Sequence, residues 1–210
     1  IDWYFLTVPE DWEQLSGKKI KIAVAVLKCT SKNNNSNPVL YLEGGPGAGG
    51  IEGIWPWLKH PLREKNDIVL VDVRGTGNSI PKLCPDLGKK FLEILAKNQN
   101  SKEDERQKII AAIDCEKELL NRDIAINSYN SMSIANDLNA LKKALGYKNW
   151  NVYGISYGTY VAQVYANKFP NDIKTLILDS PISDISQYYN LNSENYIKSL
   201  DKVFDACKNN

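Results

Sequence analysis

Residues 150–169 read WNVYGISYGTYVAQVYANKF. An apolar strand pattern at 150–155 runs into a helical pattern from Ser156 to Phe169, and Pro170 stops it. Between the two there is no loop, only Ser156 with glycine two residues before it (Gly154) and two residues after (Gly158). A chain that reverses so sharply must bring strand and helix into backbone contact, so the flanking positions must be nearly free of side chain. The join also puts the serine hydroxyl at the end of the strand, above a sheet, with a helix N-terminus beneath it. This one stretch restricts the fold to a sheet of strands followed directly by helices.

The rest of the chain carries the same alternation. Residues 3–8 and 20–28 read as strands with period-two patterning, followed by short apolar strands at 39–43, 67–72 and 173–179. The run DIVLVD (67–72) is continuously apolar, as in a strand buried on both faces. Helical patterns cover 86–98, 102–121, 133–146 and 193–208, with Ser133 as the expected N-cap of the third and Gly146 as its stop. WPWLKHPLREK (55–65) reads as a further helix. The pattern predicts a mainly parallel sheet with helices on both faces, opened by an antiparallel pair. The loops after 39–43, 67–72 and 150–155 are the glycine-rich ones, and they share the edge where such sheets bind ligands.

Bulk properties narrow the function. The 210 residues carry 26 basic and 25 acidic side chains, a balance that argues against a polyanionic partner such as nucleic acid. No apolar run approaches the ~18 residues of a membrane span. The chain starts at Ile1 rather than Met, which predicts a processed N-terminus. Four cysteines without a C-x-x-C pair, and a single histidine, disfavour a metal site, and no cofactor is expected. The cysteines read either as free buried thiols or as exported and disulfide-bonded. In the second case Cys84 and Cys115, which flank a polar helical stretch, are the natural pair. Asn34-Asn35-Ser36 matches a glycosylation sequon, a weak signal by itself.

Gly154-Ile155-Ser156-Tyr157-Gly158 fits the G-x-S-x-G nucleophile elbow. By chance alone a chain of this length shows that pattern roughly one time in fifteen, so the strand-turn-helix setting carries most of the weight. On this reading Ser156 is the nucleophile and the Tyr157 amide faces the developing oxyanion. The second donor is expected from GGPG (44–47), with the Gly45 amide preferred and Gly44 as the alternative. No Lys-Ser/Thr follows that loop, so it does not read as a phosphate cradle.

LEGGPG (42–47), VDVRGTGNS (71–79), DLNALKKALG (137–146), the elbow segment and LILDSP (176–181) together resemble the α/β-hydrolase serine peptidases. Within them the chain is most similar to the secreted branch of proline iminopeptidases and tripeptidyl aminopeptidases. The resemblance implies an α/β-hydrolase fold, a Ser-Asp-His triad and removal of residues from the free N-terminus of short peptides. It implies an N-terminal core portion at 1–182 and the start of a helical cap at 183–210. Cysteines similar to Cys84, Cys115 and Cys207 are usually disulfide-bonded in that branch, which points to a secreted or periplasmic protein. Glu43 stands where many cytosolic relatives have His, and Ser180 where Gly is common.

The triad order of this fold is Ser, then acid, then His, yet no histidine follows Ser156. His60 does not match a triad position and is expected as a surface or packing residue. Asp179 ends a strand and reads as structural, and Asp72 and Arg74 are expected to hold the loop at 73–79. The base and its acid are therefore expected on a C-terminal segment or second chain, and the 210 residues alone are expected to be inactive. The alternatives are an esterase or lipase on the same elbow, or a non-catalytic binding protein on a hydrolase scaffold.

Overall fold

A computed structural model describes residues 1–31, 37–183 and 185–208, without the side chains of 185–190. The sequon at 34–36 lies outside the described residues. Six strands form one sheet: β1 (Asp2–Pro9), β2 (Lys19–Leu27), β3 (Val39–Leu42), β4 (Ile68–Asp72), β5 (Trp150–Ile155) and β6 (Ile173–Asp179). Their spatial order is β1-β2-β4-β3-β5-β6. β1 and β2 are antiparallel to each other, and β2 is antiparallel to β4. The β4, β3, β5 and β6 pairings are all parallel. The antiparallel start and parallel remainder follow from the connections. β1 and β2 are joined without a helix, whereas β5 reaches β6 through a helix.

Both faces of the central strands are buried. On one face Leu40, Leu42, Val69, Val71, Trp150 and Val152 pack with Ile134, Leu138 and Leu141 of helix α4 (Ser131–Ala144), and with Val161, Ala162 and Tyr165 of helix α5 (Tyr157–Lys168). On the other, Ala25, Val39, Tyr41, Ile68 and Leu70 pack with Ile51 and Trp57. Every residue of β3 and β4 is buried, which accounts for the unbroken apolar runs Val39–Leu42 and Ile68–Val71.

The region 55–65 departs from the expected helix. One turn forms, α1 (Ile54–Trp57), and a 3₁₀ turn follows at Pro61–Glu64. Pro56 and Pro61 remove backbone donors too close together for a longer helix. Helices α2 (Leu87–Leu95) and α3 (Ser101–Asn121) make the excursion between β4 and α4. Cys84 and Cys115 are disulfide-bonded across it, with Cα atoms 5.8 Å apart, while Cys29 and Cys207 are free. Helix α4 starts two residues before the expected Ser133. Its N-cap is Asn130, whose side chain accepts the Ser133 N–H at 2.9 Å, and Gly146 ends it at φ +73°.

Two buried ion pairs fasten the helices to the sheet. Arg74 donates to both carboxylate oxygens of Asp137 on α4, at 2.8 and 2.6 Å, and to the backbone carbonyls of Glu10 and Ser128. Asp172, just before β6, accepts from Lys142 and Asn139 of α4 and from the Tyr165 hydroxyl of α5. Burial pushes the Asp172 carboxyl up, but those three donors outweigh it and hold the group below its ordinary value. A folded-state pKa below the unfolded one supplies stability that is complete above the usual carboxylate range, about 4, and lost as pH falls through the folded value. Chemical denaturation should therefore show Asp172→Asn losing stability at neutral pH. The difference from wild type should shrink steadily under acid.

β6 and helix α6 (Ile185–Lys208) are unlike the rest. Among the described residues β6 pairs only with β5, and its apolar Leu176 and Ile177 are 37% and 41% exposed. Tyr196, Ile197, Val203 and Phe204 of α6 are all more than half exposed. Apolar sequence of this kind normally lies under a neighbouring element.

Candidate active site

β5 ends at Ile155 and α5 begins at Tyr157, so Ser156 alone makes the turn. Its backbone lies at φ +52°, ψ −119°, a conformation that L residues rarely adopt. The Ser156 N–H donates to the Asp179 carbonyl at 3.0 Å, and its own carbonyl accepts the Thr159 N–H and hydroxyl at 2.9 and 2.6 Å. These bonds hold the strained residue from both sides. The neighbouring glycines are explained by contact. A Cβ on Gly154 would come within 2.5 Å of the Gly158 carbonyl oxygen. One on Gly158 would overlap the Leu42 carbonyl and lie 2.8 Å from that of Glu43.

A serine before a helix usually caps it with its own hydroxyl. Ser156 does not, and its half-buried side chain is left free of that bond. Tyr157 is the first residue of α5, so its N–H has no acceptor within the helix and carries the positive end of the helix dipole.

The loop after β3 lies against this turn. A Cβ on Gly44 would sit 3.1 Å from the Ser156 Cβ and 3.6 Å from its Oγ. The Gly44 N–H is already engaged, donating to Glu43 Oε1 at 2.8 Å. The Gly45 N–H has no acceptor among the described residues, and Gly45 sits at φ +119°, where only glycine is comfortable. Of the two candidates in this loop, Gly45 is thus the one with a free donor. Sequence reasoning noted Glu43 only as a departure from relatives. Its grip on the next residue's amide depends on side-chain geometry, and the only hint in the sequence is an acid directly before two glycines.

Glu43 Oε2 also accepts the Tyr41 hydroxyl at 3.0 Å. Burial, and then this bond to a carboxylate, push the Tyr41 phenol well above its ordinary pKa. The Tyr41 ring packs on Trp57 and Tyr153, and the Tyr153 hydroxyl donates to Asp179 Oδ2 at 2.9 Å. That bond, with burial second, raises the Tyr153 phenol. Asp179 also accepts from the Ser180 hydroxyl, and Ser180 lies at φ +56°.

His60 belongs to the same aromatic group. Its ring lies against Trp57 in a tilted contact with centroids 4.6 Å apart, and its Nδ1 accepts the Leu62 N–H at 3.2 Å. Its described contacts are those of a packing and capping residue, and none is with Ser156. Asp72, fully buried, accepts from the Ile51 N–H, the Asn78 N–H and the Asn78 side chain. It thereby ties the loops after β3 and β4 together beside the site. No helix among the described residues is long and apolar enough to cross a membrane.

The profile of a family described as alpha/beta hydrolase fold matches residues 37–207. A tripeptidyl aminopeptidase of Streptomyces lividans is 29% identical over 85% of this chain and 35% of its own. Serine protease Hip1 of Mycobacterium tuberculosis is 28% identical over 84% of this chain and 35% of its own. The chain therefore spans about a third of the length of these relatives. Among solved structures, a protein of Pseudomonas aeruginosa described as a probable hydrolytic enzyme superposes with a TM-score of 0.52 at 18% identity. That match covers 86% of this chain and 42% of the other.

Proposed function

The chain belongs to the α/β-hydrolase fold family, and on that footing we propose that it carries the nucleophile-bearing part of a serine aminopeptidase acting on short peptides. The observation that carries the proposal is Ser156, held at φ +52° at a helix N-terminus that its hydroxyl does not cap. Peptidase-named relatives support the choice of substrate.

In the proposed reaction the Ser156 Oγ attacks the scissile carbonyl carbon. A histidine on polypeptide beyond these residues takes the hydroxyl proton, oriented by a carboxylate also beyond them. The carbonyl oxygen becomes an oxyanion between the Gly45 and Tyr157 amides. The histidine passes its proton to the leaving amine as the C–N bond breaks. Water then opens the acyl-enzyme by the same path. Residues 1–182 supply the core and 183–210 the first part of a helical cap. The exposed faces of β6 and α6 support further polypeptide packing there. The disulfide supports a secreted or periplasmic site of action.

The test is hydrolysis by the full-length protein of three matched substrates: a peptide with a free amine, its N-acetylated form and a p-nitrophenyl ester. The proposal requires fast release from the free peptide and little from the acetylated one. Esterase activity without release from the free peptide overturns it.

Glu43 has a separable part in the scheme. By engaging the Gly44 amide it fixes the path on which Gly45 presents its own. Glu43→Ala should lower kcat about tenfold or more with KM nearly unchanged, because an oxyanion donor acts mainly in the transition state. Steady-state kinetics check this, and Glu43→Gln, which still accepts from the Gly44 N–H, should recover part of the loss.

A further inference from the structure

Beside the elbow lies a cavity of about 370 Å³, within the range of small-molecule sites. Its wall includes Pro46 of the loop after β3 and Tyr157 next to Ser156, so it adjoins the reacting position. Val73, Leu83 and Ile134 give it apolar surface.

The polar side chains of the wall are nearly all committed elsewhere. Arg74 is held by Asp137 and by backbone carbonyls. The Tyr129 hydroxyl donates to Glu10, the Tyr157 hydroxyl pairs with Ser131, and the Thr76 hydroxyl donates to the Val73 carbonyl. Lys82 is the exception: it is exposed, and its side chain makes no hydrogen bond or ion pair among the described residues. No Asp or Glu lines the cavity. A half-enclosed space whose walls mix apolar side chains with polar ones already engaged, and which holds one cation without a described partner, favours a ligand with apolar parts that carries a carboxylate.

We infer that this cavity is a subsite for a peptide's carboxylate, with Lys82 as the residue that selects it. The inference rests on the peptidase reading, in which a short peptide lying across Ser156 extends one end past Pro46 and Tyr157. The carboxylate has two possible sources, the peptide's own C-terminus or an acidic side chain. A C-terminal source would select short peptides over the interior of long ones.

Binding decides the matter without turnover. In the full-length protein with Ser156→Ala, calorimetry would compare three short alanine-rich peptides with free amines. One ends in a free carboxylate, one in an amide, and one in an amide preceded by glutamate. The free acid should bind about tenfold more tightly than the amide. Adding Lys82→Gln should bring it down to the amide's affinity, and Lys82→Glu should reverse the order. If the glutamyl amide alone gains, the side chain is the source and the C-terminal selection is overturned. Equal affinity for all three, or a preference that survives Lys82→Gln, overturns the subsite. Failure of the peptidase reading is a different result: no N-terminal residue is released by the unsubstituted protein.

Discussion

Ser156→Ala in the full-length protein is expected to lower peptide turnover by a factor on the order of 10⁴–10⁶ and to leave the fold intact. The size of the effect follows from what the hydroxyl does in the proposed scheme. It forms the covalent bond that divides one difficult hydrolysis into two easier steps. Without it, the oxyanion donors and substrate binding remain, and those alone retain roughly 10³–10⁴-fold over water, a small fraction of the full rate. Stability should barely change, because the bonds that hold residue 156 run through its backbone. Its N–H meets Asp179 and its carbonyl meets Thr159, and alanine keeps both. Near-wild-type thermal unfolding with turnover at the detection limit is the expected pair of results. Loss of both together would mean that Ser156 is structural.

The second large effect is expected at a position that takes no part in the chemistry. Gly158→Ala should destabilise the protein by about 3 kcal/mol or more, enough to deplete the folded state of a marginally stable domain. The added methyl would run into the carbonyls of Leu42 and Glu43. Both are backbone, Leu42 at the end of β3 and paired with Gly154 of β5, Glu43 the residue directly after it, so neither can yield as a flexible side chain would. Relief would require α5 to lift off the sheet, which would uncover Val161, Ala162 and Tyr165. Equilibrium denaturation measures the loss. A Gly158→Ala variant of ordinary stability would show that the helix start does not cross β3 as closely as described. Because the same movement displaces Tyr157, any folded fraction should also lose turnover.

How much of this was legible in the sequence depends on whether its cause is local. The elbow was legible because its demands fall on residues 154–158 themselves. Parallel β3, β4 and β5 with glycine loops at one edge followed from apolar run lengths and connection types. The helix expected over 55–65 did not form, since Pro56 and Pro61 outweigh its composition. Helix α4 is capped by Asn130 rather than Ser133: both residue types are good caps, and the fold uses the earlier one. The sequence reading preferred Gly45 to Gly44 but could not supply the reason, which is where the Glu43 carboxylate turns. His60 was expected as a surface or packing residue, and its tilted ring contact with Trp57 is a tertiary contact that no spacing announces.

The most direct test of the account is labelling of the full-length protein with a fluorophosphonate, followed by mass spectrometry of the digested product. Such probes react with a serine only when its hydroxyl is activated by a base and its oxyanion is stabilised. The account predicts one equivalent of label, on the peptide containing Ser156, and none on the Ser156→Ala variant. Stoichiometric labelling at another serine, or a folded full-length protein that takes up no label, would contradict it.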